Sequence, residues 1–320
     1  MLHQGKLTVD GIKISLDDAS SDVCFVSHAH SDHTEAFGKK RSIIASDETF
    51  IIMGKQPQSH PVSSSISLHP AGHMLGARQL SAETDGGKFV YTGDFALHDS
   101  YTSKAAEILA CDTLMIDSTY CLPSMRLPHR EKVLSNMRAF VKENERGIIV
   151  FGAYTRGKAQ ELVKFLNTEC GIAPVVNAPA SRICEAYEKC GMKLDYVPAG
   201  TPASEEAMRH SFTAIMPSNM VNFQFGANLS EAFGREVKTS VATGWAAVSR
   251  FPVDAPFALS DHADFRDTMR YIHGCGAKKV ICANSGAVVA AAYLRSIGIN
   301  ASAKGKASEP EQTTLAKCEC

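Results

Sequence analysis

Residues 28–33 read His28-Ala29-His30-Ser31-Asp32-His33, three imidazoles and a carboxylate in six positions, just after the apolar run Val23-Cys24-Phe25-Val26. A chain that buries a short strand and then releases four such side chains must set them on the loop at the strand's end. Alternate side chains of an extended segment share a face. His28, His30 and Asp32 therefore converge, and a turn starting at Asp32 carries His33 toward a second position. Neutral imidazole nitrogen and carboxylate oxygen are the ligand set of zinc sites that do hydrolytic chemistry. A solvated polar turn is the plain alternative, and it explains one histidine better than three.

With 320 residues, 44% of them hydrophobic, the chain is long enough for two domains or for one large domain carrying an insertion. Its formal net charge of −1 selects no partner, so a nucleic-acid binder of this composition has to focus Lys and Arg in a groove. The start, MLHQGKLTVDG, lacks the apolar core of a secretion signal, and no stretch approaches the length of a membrane helix. A cytoplasmic protein without a membrane partner is the expectation. Ten cysteines include no CxxC pair; Cys24, Cys111 and Cys282 lie in apolar runs and read as small core residues in the reduced state.

Short β-type runs fill the first third: Lys13–Leu16, Val23–Val26, Ser42–Ala45, Ser65–Leu68, Gln79–Ala82, Lys88–Tyr91 and Thr113–Ile116. Helical spacing is expected over Asp47–Met53, Ser103–Leu109 and His129–Glu143. From Gly147 strand alternates with helix: strand Ile148–Phe151, helix Gly157–Asn167, strand Val175-Val176, helix Ser181–Cys190. That alternation points to a parallel α/β unit. Beyond it come strand Thr239–Thr243, helix Asp264–His273, strand Lys279–Cys282 and helix Ala287–Ile297, then a polar tail over 303–320 expected to be disordered.

Four further positions look like metal or acid–base sites. His73 lies between two glycines in Gly72-His73-Met74-Leu75-Gly76, and Asp94 follows Val90-Tyr91-Thr92-Gly93 at a strand's end. His28, His30, His73 and Asp94 complete four-coordination of one zinc; Asp32 and His33, with Asp94 bridging, begin a second site. Asp117 ends the run Thr113–Ile116, and His262 lies in Leu259-Ser260-Asp261-His262-Ala263-Asp264. A carboxylate paired with an imidazole steadies a proton for a leaving group. An N-cap aspartate and a surface histidine are the competing readings.

HAHSDH, GHMLG, GDF, IDSTY and LSDHADF, in this order, resemble the metallo-β-lactamase superfamily in its β-CASP branch of nucleic-acid nucleases. The resemblance runs from about Leu16 to Ile299, and within the branch the chain is most similar to ligase-associated DNA exonucleases and RNA 3′-end-processing factor-like exonucleases. HPAGHMLGA, the Cys111–Pro123 stretch, YTRGKAQE from Tyr154 and TGWAAV from Thr243 carry that similarity. It implies an α/β fold, an αββα sandwich (1–146 and 240–302) with an inserted α/β cap over 147–239. It further implies a firmly held Zn2+ on His28, His30, His73 and Asp94, and a second on Asp32, His33 and Asp94, with Mn2+ as the other candidate metal. Asp17 would support the metal loop from behind, and Asp32, Asp117 and His262 would carry catalysis. Arg156 and Lys158, at a strand–helix junction, would meet a backbone phosphate, although a basic pair on a solvated helix reads the same way.

One departure concerns the second metal. After Val280-Ile281-Cys282 the RNA-processing relatives place a histidine before glycine, whereas this chain reads Ala283-Asn284-Ser285-Gly286. Ser285 falls at the histidine's place, and a neutral hydroxyl is a poor zinc ligand. The second metal is therefore expected to be weak or absent. Ser285 joins Arg156 and Lys158 as a candidate contact for the substrate phosphate. The leading expectation is a zinc-dependent phosphodiesterase, an exonuclease trimming single-stranded DNA, or RNA, by attack of a metal-activated water. The similarity also points to a DNA ligase or helicase as partner. Two alternatives stay open: a small ester or thioester hydrolase, which would need neither LSDHADF nor the cap, and a catalytically weak metal-binding subunit of an RNA 3′-end-processing complex.

Overall fold

The β-type runs of the first third pair into two facing sheets in the computed structural model, which describes residues 2–3, 6–58 and 63–304. The first sheet holds β1 (Leu2–His3), β2 (Lys6–Val9), β3 (Ile12–Leu16), β4 (Val23–Phe25) and β5 (Ser42–Ile44) in chain order, antiparallel as far as β3 and parallel after it. The second begins with the antiparallel meander β6 (Ile66–Pro70), β7 (Arg78–Thr84) and β8 (Gly87–Tyr91), to which β9 (Thr113–Asp117) adds in parallel.

The chain then leaves for a third sheet. Its strands β10 (Ile148–Ala153), β11 (Val175–Val176), β12 (Val197–Pro198), β13 (Phe212–Pro217), β14 (Val237–Ala242) and β15 (Ala255–Phe257) are all parallel, in the order β12-β11-β13-β10-β14-β15. Every residue of β10 is buried, as a central parallel strand covered on both faces requires. Finally β16 (Lys279–Ala283) and β17 (Ala301–Ala303) return beside β9 and complete the second sheet, Ala283 opposite Asp117.

Period-2 burial explains the layering. Leu7, Ile14, Leu16 and Phe25 of the first sheet meet Leu80, Phe89, Tyr91, Met115 and Ile281 of the second in one core. Leu114, Ile116 and Cys282 point the other way, into the cluster that takes Tyr271 and Ile272 of helix Phe265–Gly274 and Leu294 of helix Ala287–Ser296. Cys24, Val26 and Ile43 face Phe50 of helix Asp47–Ile52. Helix, sheet, sheet, helix is the resulting order, an α/β architecture of αββα type.

Two expectations change. Ser103–Leu109 forms no helix: its backbone is taken by neighbours, with the Ala105 amide donating to the Asp99 carboxylate (2.8 Å), Ala106 to the Ala96 carbonyl (2.8 Å) and Leu109 to the Tyr271 hydroxyl (3.3 Å). At the other end Ala303 is in β17, and residues 305–320 of the expected tail, with Cys318 and Cys320, lie outside the described residues. No helix among the described residues is long and apolar enough to cross a membrane.

Candidate metal centre

The strand ends of both sandwich sheets open into one cleft of about 1390 Å³, and the third sheet supplies part of its wall. His28 and His30 lie just past β4, His73 between β6 and β7, Asp94 after β8, and Asp117 ends β9. One ligand atom from each of His28, His30, His73 and Asp94 lies within 4.8 Å of the other three. Asp94, Asp117 and His262 form a second such group sharing the same aspartate.

The outer nitrogen of each imidazole decides what its inner nitrogen offers. His30 Nε2 donates to the Arg156 carbonyl (3.1 Å) and His73 Nδ1 to the Asp261 carbonyl (3.0 Å), since a carbonyl only accepts. Ser27 Oγ donates to Asp17 (2.7 Å) and so accepts from His28 Nδ1 (2.9 Å). In the neutral rings the remaining nitrogens, His28 Nε2, His30 Nδ1 and His73 Nε2, carry bare lone pairs. They nevertheless meet at 3.0 and 3.1 Å from His30 Nδ1. Burial holds all three rings below the ordinary histidine range, His30 at about 4. Three converging lone pairs beside a carboxylate repel one another unless a cation lies between them. The spacing is close to the edge of a zinc tetrahedron, about 3.3 Å for bonds near 2.0 Å, so the donor set fits a divalent metal.

Asp94 is the hub. Its Oδ2 lies 3.5 Å from His28 Nε2, 3.5 Å from His33 Nε2, 3.6 Å from His73 Nε2 and 3.8 Å from His262 Nε2. Its Oδ1 is held by Asn284 Nδ2 at 2.6 Å, and the same amide donates to Asp117 Oδ1 at 3.0 Å. Burial raises the Asp94 carboxyl above its usual range. Asp17, at the positive φ of 58°, stands behind the loop, accepting from the Ser27 amide (2.6 Å), Tyr91 hydroxyl (2.7 Å) and His33 Nδ1 (2.8 Å). Burial opposes charge on His33, yet Asp17 and Asp94 outweigh it and lift its pKa to about 12. Asp32 stands at the rim, its side chain 78% exposed, one oxygen 3.5 Å from His33 Nε2.

Asp117 and His262 meet although 145 residues separate them, with His262 Nδ1 donating to Asp117 Oδ2 at 2.7 Å. Burial works against protonating His262; Asp117 and Asp94 override it and raise the pKa to about 9. Burial likewise works against ionising Asp117, but His262 holds it below the carboxylate range. The imidazole therefore carries a proton whose Nε2 side faces Asp94.

One of the candidate residues takes another place. Lys158 is 4% exposed and its ammonium is bound by Glu161 (2.7 Å) and by Asp261, so it is a buried ion-pair partner rather than a phosphate contact. A buried cation is stable only with such partners. Ser285 lines the cleft, but Asn284 makes the contact with Asp94: the left-handed backbone of Asn284 (φ 67°) turns the chain there. Arg156 remains in the wall, one nitrogen donating to the Ala29 carbonyl (3.2 Å). Arg182 and Lys189, seven apart on helix Ala178–Lys189, also line the cleft, and their i, i+7 spacing was the available sequence signal.

No family model matches the chain. It is 27% identical over 311 residues to a protein of Opitutus terrae named as a probable DNA ligase, covering 90% of this chain and 29% of that one. It is 29% identical over 171 residues to the 5′ exonuclease Apollo of Gallus gallus, 48% of this chain and 37% of the relative. The chain thus spans about a third of the length of these relatives. A protein of unknown function from Enterococcus faecalis has a similar solved fold, with a TM-score of 0.56 and 14% identity over 81% of this chain and 74% of that one. The relatives, one of them matched along nearly the whole chain, are metallo-β-lactamase nucleases of the β-CASP branch, and the two facing sheets flanked by helices are similar to that architecture.

Proposed function

We propose that the chain is a zinc-dependent phosphodiesterase acting on single-stranded nucleic acid, an exonuclease with DNA ahead of RNA as substrate. The observation that carries this reading is the meeting of three imidazole lone pairs and Asp94 beside the Asp117–His262 pair in an open cleft. His28, His30, His73 and Asp94 would hold the first metal; His33, Asp32 and Asp94 would hold a weaker second. Zinc bound there lowers the pKa of a coordinated water to about 7 and stabilises charge on a phosphoryl oxygen.

The chain's own residues do the rest. Ser27 and the Arg156 and Asp261 carbonyls set the imidazole tautomers, and Asn284 orients Asp94 so that Oδ2 faces the metal side. His262, steadied by Asp117, gives its Nε2 proton to the oxygen that leaves when the P–O bond breaks. Arg156, Arg182 and Lys189 supply the focused positive charge that a neutral chain needs to guide a phosphate backbone. The parallel sheet β10–β15 with its helices acts as the cap that forms the far wall. The relatives named as a DNA ligase and as an exonuclease support DNA and end-directed cleavage, and a ligase-linked role follows from the first. The eight described cysteines are all free thiols, in keeping with a reducing cytoplasm.

The test is incubation of the metal-replete protein with end-labelled DNA and RNA strands, blocked in turn at each terminus, alongside metal analysis. Bound zinc and a ladder shortening from one unblocked end of DNA is the expected result. Bound zinc with thioester turnover and intact strands, or with neither reaction, would overturn it.

A further inference from the structure

Trp245 is the sole tryptophan of the chain, and it lies half-buried in the wall of the cleft, on the 3-10 turn Gly244–Ala247 that follows β14. Beneath it is Tyr120, 2% exposed, with ring centroids 5.0 Å apart and planes tilted by 58°. Tyr120 in turn meets His262 edge-on at 5.9 Å and 90°. The aromatic series therefore runs from the proton-carrying imidazole outward to the indole, two ring contacts away. The turn is locked in this place: a Cβ on Gly244 would lie 2.5 Å from the Tyr120 hydroxyl and 2.9 Å from Ser260 Cβ. Thr243 Oγ1 caps the turn by accepting from the Trp245 amide at 3.4 Å.

The same cleft carries charge for a phosphate backbone, with Arg156, Arg182, Lys189 and the metal-site carboxylates, beside apolar side chains such as Ile51, Met53 and Ile183. Phosphates need none of the large apolar surface of an indole; a nucleobase does, because every base has a π-face. We propose that Trp245 is a stacking site for an unpaired nucleobase of the strand whose phosphate sits between the metal ligands and His262. The inference rests on the phosphodiesterase reading above. Bases of an intact duplex are stacked on one another, so the platform selects frayed ends and single strands. It is indifferent to the sugar, since only the base meets the indole.

The single tryptophan makes the site its own reporter. The metal-replete protein is titrated with a thymidine hexamer and with an abasic strand of equal length, both phosphorothioate-linked to resist cleavage, while indole emission and binding are followed. The thymidine strand should quench the emission and bind about 5- to 150-fold more tightly than the abasic strand. In Trp245→Ala the two strands should bind alike, and Trp245→Phe should restore part of the difference. Equal quenching and equal affinity for both strands in the unmodified protein would overturn the platform, even if Trp245→Ala fails to fold. Cleavage of ordinary strands, measured in parallel, separates the two readings. Cleavage with equal quenching removes the stacking site alone, and base-dependent quenching without cleavage removes the phosphodiesterase reading alone.

Discussion

Gly72→Ala should damage the metal centre without touching a metal ligand. Gly72 has φ +80°, and a Cβ there would lie 2.2 Å from the Ala96 carbonyl oxygen and 2.8 Å from the Ala106 nitrogen. Neither atom is the end of a flexible side chain; the Ala106 amide donates to that carbonyl at 2.8 Å. Reaching the 3.0 Å that real Cβ atoms respect takes a shift of about 0.8 Å (3.0 − 2.2). Gly72 precedes His73 and bridges to Phe95, which follows Asp94, so the shift opens the distance between two of the proposed metal ligands. A metal site tolerates only about 0.2 Å of change in its bonds. The backbone strain costs about 1–2 kcal/mol and the overpacking about 1–3 kcal/mol, together about 2–5 kcal/mol. Zinc affinity should fall about 10- to 100-fold, as for lost support of a ligand. Urea unfolding of the metal-free protein reads the first quantity and chelator competition the second. Gly86→Ala is the control, its Cβ meeting only Thr84 Oγ1 at 3.7 Å, and should change stability by less than about 0.5 kcal/mol. An unchanged urea midpoint and zinc affinity within threefold of the parent for Gly72→Ala would refute the argument.

Asp117→Asn and His262→Ala should each slow turnover by about 10²- to 10⁴-fold while metal content stays at the parent level; a His262→Ala rate within threefold of the parent would remove it as proton donor. Asn284→His should tighten the second metal, because the imidazole would arrive beside Asp94 at a backbone conformation that histidine tolerates. Ser285→His should do less, and metal stoichiometry showing the reverse order would reject the placement. His98 has a pKa lowered to about 4, first by burial and then by the Arg130 charge, and its Nε2 is buried without a partner. A folded-state pKa below the unfolded 6.5 gives stability that is full above pH 6.5 and lost as pH falls toward 4. The loss is at most about 3 kcal/mol. The metal-free His98→Gln protein should show a shallower fall in unfolding free energy between pH 6.5 and 4, and an unchanged slope would contradict it.

Much of the candidate site was legible because its proposed ligands are dense in sequence. Six residues hold His28, His30, Asp32 and His33, and strand periodicity alone aims the first two together. Glycines flanking His73 and preceding Asp94 marked two more strand-end turns. The alternation of β and α runs after Gly147 likewise announced a parallel sheet, and β10, β13 and β14 pair in parallel. Residue types and local spacing are properties of the chain itself, so sequence by itself determined the donor chemistry and the layered α/β class. Tertiary structure decided which polar groups are consumed internally and which face the cleft. Lys158 is buried on Asp261 across 103 residues, Asn284 rather than Ser285 reaches Asp94 across 190, and Ser103–Leu109 gives its backbone to Asp99, Ala96 and Tyr271 instead of a helix. Such partnerships depend on which faces the sheets bury against each other, and local periodicity holds no record of the distant residue that completes a hydrogen bond.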